Sequence, residues 1–192
     1  MAKIILDENK LLYADNRKAW RAWLKSNYRT GREVWLVYYK QHTGKARVTY
    51  NEAVEEALCF GWIDNTVRRV DEDRYAQRFS PRKPGTPYSQ ANKERLAALM
   101  AKGKVAREVL ATLGKPAPKR FRVPPDILEA IKADPAAWNN FRKFSPSYKR
   151  IRIAFIDGAR NRPAEFQKRL RYFLHMTAKN KQFGFGGIEK YY

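Results

Sequence analysis

Apolar positions along this chain fall into short segments, and their spacing changes from one stretch to the next. Ala19, Trp20, Trp23 and Leu24 lie on one face of a helix that Asp15 is placed to cap and that runs to about Tyr28. Glu33–Lys40, EVWLVYYK, is rich in β-branched and aromatic residues and reads as a buried strand. HTGK (His42–Lys45) reads as a turn, with Gly44 at positive φ. Thr49-Tyr50-Asn51-Glu52 has the form of a capping box. The helix it opens carries Ala53, Val54, Ala57 and Leu58 on one face, and Gly61 is placed to end it. WIDNTVRRV and RYAQRFS alternate polar and apolar residues on either side of Asp71-Glu72-Asp73, the pattern of a hairpin. With the strand at 33–40 this predicts a small antiparallel sheet of about three strands.

The prolines of Pro81–Pro87 forbid continuation of either element, so that stretch is a loop. A helix then starts near Ser89 with Leu96, Leu99 and Met100 on one face, and a second short one runs to about Leu113. Beyond a proline-rich basic stretch the pattern is helical throughout. Asp126 opens one helix, Asp134-Pro135 and Ser145-Pro146 pair an N-cap with a first-turn proline, and Pro163 opens the last. The predicted class is α+β, mostly helical, with a C-terminal helical bundle. The expected parts are a domain over 1–114, a basic linker over 115–124, a helical domain over 125–183 and a Gly/Tyr tail over 184–192 that is too glycine-rich to hold a helix and is expected to be mobile.

Charge changes the picture most. Forty Lys and Arg against nineteen Asp and Glu give a net charge of +21. Residues 1–74 hold 14 basic against 11 acidic residues, while 75–192 hold 26 against 8. The second part should attract nucleic acid or another polyanion. No apolar run is long enough to cross a bilayer, and MAKIILDENK lacks the apolar stretch of a secretory signal. A single cysteine excludes an internal disulfide framework, and the expected location is cytoplasmic.

YNEAVEEALCFGWIDN, DEDRYAQRFSPRKP and SQANKERLAALMAKGK, with VWLVYYK before them, resemble the YdeI/OmpD-associated family, also described as bacteriocin-protection proteins. That resemblance runs from about Trp20 to Lys104. VPPDILEAIKADPAAWNNFRKFSPSYKRIRIAFIDGAR resembles the same family's small C-terminal helical domain. The chain departs from the family's pattern at Thr86-Pro87-Tyr88-Ser89, at Gly103-Lys104-Val105 and around Ala159-Arg160 and Ala164-Glu165-Phe166. The resemblance brings no catalytic residues. It implies, as an alternative reading, a stress or antimicrobial-peptide resistance factor acting through a protein partner on the C-terminal helices.

Candidate chemistry is sparse. Cys59 lies near the end of its helix, where the dipole disfavours a thiolate, and reads as a packing thiol. Glu55, Glu56 and Asp64 read as solvated or ion-paired acids rather than an acid–base pair. His42 and His175 are isolated, so no metal site is expected, and GFGG in the tail has no strand before it or helix after it. No cofactor is expected. An anion pocket is expected from Trp62, Asp64, Arg78, Arg82, Lys83, Tyr88, Ser89 and Asn92, where arginines meet a helix start. A nucleic-acid surface is expected from Lys149, Arg150, Arg152, Arg160, Arg162, Lys168, Arg169 and Arg171. The leading expectation is a non-enzymatic binding protein for an anionic partner, and the enzymatic alternative rests on the pocket near Trp62 and Arg82.

Overall fold

The computed structural model describes residues 8–113, 121–184 and 187–192, and in it the amphipathic pattern around Trp20 forms α1 (Arg17–Asn27). Its cap is Asn16 and not Asp15. Asn16 is extended and its side chain accepts the Ala19 N–H, while Asp15 accepts from the Asn16 amide. Residues 1–7, on which the leader reading rests, and 114–120, which hold most of the expected linker, lie outside the described residues.

The sheet has four strands in the order β1 (Leu11–Tyr13), β2 (Val34–Tyr39), β4 (Arg74–Pro81) and β3 (Trp62–Arg69). The expected three-stranded antiparallel core is there: β2 and β3 both run antiparallel to β4. The correction is β1, which pairs parallel to β2 with Leu12 opposite Leu36. Parallel neighbours need a crossover, and α1 is that crossover. Between Asp64 and Val67 the β3–β4 register shifts, so the strand bends after its first residues.

The Thr49 capping box forms as expected and opens α2 (Tyr50–Cys59). Gly61 follows at φ 70 and returns the chain into β3. Trp20, fully buried, joins the elements: its Nε1 donates to the Ala53 carbonyl of α2 at 3.0 Å, and its ring meets Phe79 of β4. α3 (Gln90–Ala101) and α4 (Arg107–Leu113) follow the proline loop.

Chain contacts divide the protein into two units, 1–87 with 96–114, and 88–95 with 115–192. The first turns of α3 therefore belong to the second unit. That unit is built from α5 (Pro125–Lys132), α6 (Pro135–Lys143), α7 (Pro146–Asp157) and α8 (Pro163–Ala178). Asp134 and Ser145 cap α6 and α7 with proline in the first turn, as their sequence pattern predicts. The core gathers Ile127, Ile131, Phe141, Tyr148, Ile153 and Phe173. The tail, read from its glycines as mobile, makes contacts in this unit: Ile188 is buried, and Tyr192 sets its ring edge-on to Tyr148 at 4.7 Å and donates to the Phe183 carbonyl.

Gly61 and Gly44 both hold positive φ, but a Cβ at Gly61 would meet Val109 Cγ2 at 3.3 Å, whereas Gly44 has open space. Gly61→Ala should therefore destabilise by about 1–2 kcal/mol. Denaturant unfolding should show a larger loss for Gly61→Ala than for Gly44→Ala.

Candidate functional site

The residues expected to form one anion pocket each make contacts within their own unit. Trp62 is fully buried, so it cannot wall an open pocket; its Nε1 donates to the Tyr28 carbonyl at 3.2 Å and its ring meets Trp23 edge-on. Asp64 pairs in register with Phe79 and so shares its face of the sheet. It accepts from Tyr50 Oη at 3.0 Å and from Gln77 Nε2 at 3.1 Å. Arg78, the next residue along β4, points to the opposite face, where its Nε meets Glu33 at 2.8 Å. Asp64 therefore does not hold Arg78. Arg82 donates to the Thr86 and Pro87 carbonyls at 2.7 and 3.1 Å, closing the proline loop on itself, while Lys83 is exposed. Tyr88, Ser89 and Asn92 belong to the second unit. Ser89 Oγ accepts the Asn92 N–H at 3.2 Å, and the Asn92 side chain accepts from the buried Arg95.

Around Asp64 the fold gathers tyrosines that the alternation pattern alone did not single out. Tyr38 is buried, stacks on Tyr75 at 5.1 Å, and its phenol oxygen has no hydrogen-bond partner. Burial, with Tyr75 beside it, pushes that phenol upward, so Tyr38 stays neutral. Arg47 donates to Tyr75 Oη at 3.2 Å and to the Tyr39 carbonyl at 2.7 Å.

Of the two states expected for Glu55 and Glu56, solvated or ion-paired, the structure has the pairing, but on buried rather than exposed acids. Arg17 bridges both, with Nη1 at 2.9 Å from Glu55, and Arg21 adds a second partner to Glu56. Asn51 completes the cluster through its amide to Glu55. Removing one partner of such a buried pair costs about 3–5 kcal/mol, so these acids are structural. Cys59, fully buried one turn on, has its thiol pushed up to about 11 by burial and by Glu56.

In the second unit the expected cationic surface divides by pairing. Arg150 forks onto Glu94 at 2.6 and 2.9 Å. Arg160 is held between Asp126 and Asp157. Arg169 pairs with Glu165 at 2.7 Å and lies 3.8 Å over the Phe155 ring. Lys149 donates to the Arg142 carbonyl over Phe141, and burial lowers its pKa. Arg162, Lys168 and Arg171 are exposed and form no salt bridge among the described residues. Lys179 shares that state and lies on the same stripe as Lys168, Arg171 and His175, at spacings of three and four residues. The stripe is about 16 Å long at helical rise. Among the described residues, no three His, Cys, Asp or Glu gather to hold a metal. His42 meets Asp73 at 2.9 Å.

Arg152 differs from all of these. It is 4% exposed, and its Nε and Nη1 are buried without a hydrogen-bond partner. No carboxylate lies within ion-pair distance of it among the described residues. Its guanidinium faces the rings of Phe155, Phe183 and Tyr192 at 5.4, 5.1 and 5.9 Å. A desolvated cation over an aromatic face gains about 2 kcal/mol, whereas each buried, unpaired donor loses about 1–3 kcal/mol. Arg152 also lines a cleft of about 140 Å³ with Phe155, Ile156, Tyr172, Phe173 and Phe183. Lys168, Arg169 and Glu165 complete its wall. The sequence carried a clue to this position: Arg152 stands four residues after Tyr148 and four before Ile156, on the apolar face of α7.

A family model described as a domain of unknown function (DUF8412) matches residues 12–112. A second, described as bacteriocin-protection, YdeI or OmpD-associated, matches residues 120–180. The likeness read over Trp20–Lys104 thus falls within the first model, and the YdeI/OmpD-associated match falls on the helices that follow. No curated protein and no solved structure matches the chain.

Cys59 should resist thiol reagents in the native state and react fully in denaturant. Rapid native labelling would contradict its burial. A second test concerns pH. Burial alone would raise the Glu94 carboxyl, but hydrogen bonds from Arg150 and Gln90, with the charge of Arg150, hold it below its ordinary value. A depressed carboxylate contributes stability above its unfolded pKa and loses it as pH falls through the folded one. Arg150→Met should lower stability by about 2 kcal/mol at neutral pH. That difference from the parent should shrink as pH falls below about 4.5, the ordinary glutamate value, as read by urea unfolding across pH.

Proposed function

The chain belongs to the family of the domain of unknown function (DUF8412) and carries a YdeI/OmpD-associated domain after it, and from that premise we propose that it is a non-enzymatic, cytoplasmic binding protein that holds nucleic acid through the α8 face of its second unit. The observation that carries this reading is the contrast between paired and unpaired cations. Arg150, Arg160 and Arg169 spend their charge on acids of the same unit. Lys168, Arg171 and Lys179 present theirs to solvent in one line, with Tyr172 half-exposed beside them. Unpaired cations spaced along a helix suit the repeated phosphates of a nucleic-acid backbone, and they contact phosphate rather than base edges. Exposed charge of this kind gives salt-sensitive and weakly sequence-selective binding. No helix in the described residues is long and apolar enough to cross a membrane, so the stripe is not needed to flank a spanning segment.

The test is fluorescence anisotropy with a labelled DNA duplex at several salt concentrations. Affinity should fall with salt at a log–log slope of about −3, the value for roughly three neutralised phosphates. Replacing both Lys168 and Arg171 with Gln should weaken binding to every duplex alike and flatten the slope by about 2. Absence of binding at low salt would overturn the reading.

A further inference from the structure

We propose that the cleft between α7 and α8 binds a small organic carboxylate with an aromatic or short aliphatic body, anchored by Arg152. The proposal differs from nucleic-acid binding in its anchor, the buried Arg152, although Lys168 lies both on the α8 stripe and on the cleft wall. The carrying observation is an incomplete site: Arg152 lines the cleft, and its guanidinium, 4% exposed, has Nε and Nη1 enclosed without a hydrogen-bond partner. Glu165, the one acid on the cleft wall, is already committed to Arg169 at 2.7 Å. Arg152, Lys168 and Arg169 thus outnumber the acid three to one around a single opening. A carboxylate takes two parallel N–H donors from one edge of a guanidinium, so each unpartnered nitrogen, Nε or Nη1, would act together with Nη2, a fork that a phenol or an amide does not match.

The rest of the wall decides what else the ligand must carry. Phe155, Ile156, Tyr172, Phe173 and Phe183 are apolar, and Phe155 and Tyr172 stay 40% and 50% exposed. They lie uncovered where a ligand's apolar body would shield them. The cleft, at about 140 Å³, is close to the roughly 150 Å³ that holds one benzene ring. That size suits one small ring rather than a nucleotide or a long acyl chain. It also separates the ligand from inorganic phosphate or acetate, which would satisfy Arg152 but leave the aromatic wall unfilled.

Phenylacetate, phenylacetamide and acetate, titrated separately into the whole protein, separate the two requirements. Heteronuclear NMR and calorimetry would follow binding. Phenylacetate should saturate, shift signals of Phe155, Tyr172 and Phe183, and bind at least tenfold more tightly than phenylacetamide. Acetate should not saturate in the same range. Arg152→Met should abolish the preference for the acid over the amide, and Arg152→Lys should keep part of it. If Arg152→Met proves unfolded, the acid–amide comparison on the unaltered chain still decides. Equal affinity for acid and amide would overturn the proposal, and so would phenylacetate shifts confined to residues outside the cleft.

Discussion

Glu55 and Glu56, adjacent on α2 and both buried, are the constraint on which the first unit rests. Two neighbouring carboxylates cannot be taken from water without cations to meet them. Arg17 and Arg21, one turn apart on α1, supply those cations and fix the rotation of one helix against the other. That rotation puts Trp20 on the same interface, where its Nε1 reaches the Ala53 carbonyl and its ring reaches Phe79 of β4. The sheet position then follows, since α1 also connects the parallel strands β1 and β2. Cys59 sits buried at the end of this chain of dependence, two residues before the turn at Gly61.

Acid is scarce in this protein, with nineteen carboxylates among forty Lys and Arg. Each acid that is placed decides which cation becomes structural. Glu33 takes Lys10 and Arg78, Glu94 takes Arg150, and Asp126 with Asp157 takes Arg160. The remaining cations are what an outside anion meets. Composition alone could not make this division, because a paired and an unpaired arginine contribute the same charge to a sequence. The eight cations expected to form one surface thus separate into tethered side chains, exposed ones (Arg162 before α8, Lys168 and Arg171 on its line) and one buried guanidinium.

What was legible in the sequence was local. The Thr49–Glu52 box, the Asp134 and Ser145 caps and the Gly44 and Gly61 turns each depend on residues within a few positions, and each formed as expected. The strand Leu11–Tyr13 was not legible, since three residues show no period and their partner β2 lies beyond a helix. The placing of the expected pocket residues was hidden for a related reason. Trp62, Asp64 and Arg78 are close along the hairpin, but pairing register puts Asp64 opposite Phe79 and so turns Arg78 to the other face. The contacts of the tail were not legible from composition: its glycines dominate the count, while Ile188 and Tyr192 supply the apolar surface that packs.

Exposure separates the two kinds of unspent cation physically. Lys168 and Arg171 sit in water, where counterions compete for them and their pull falls away within about 8 Å at physiological ionic strength. Arg152 is shielded by Phe155, Phe183 and Tyr192, so bulk salt screens it far less. The α8 line is therefore suited to a large, multiply charged partner that gains by displacing many ions. Arg152 is suited to a single anion that brings its own apolar body, because one charge cannot repay desolvation unless the rest of the ligand is buried with it. α7 supplies the second condition only. Its apolar face carries Arg152 inward between Tyr148 and Ile156, while its polar neighbours are left to pair with Glu94 and the Arg142 carbonyl.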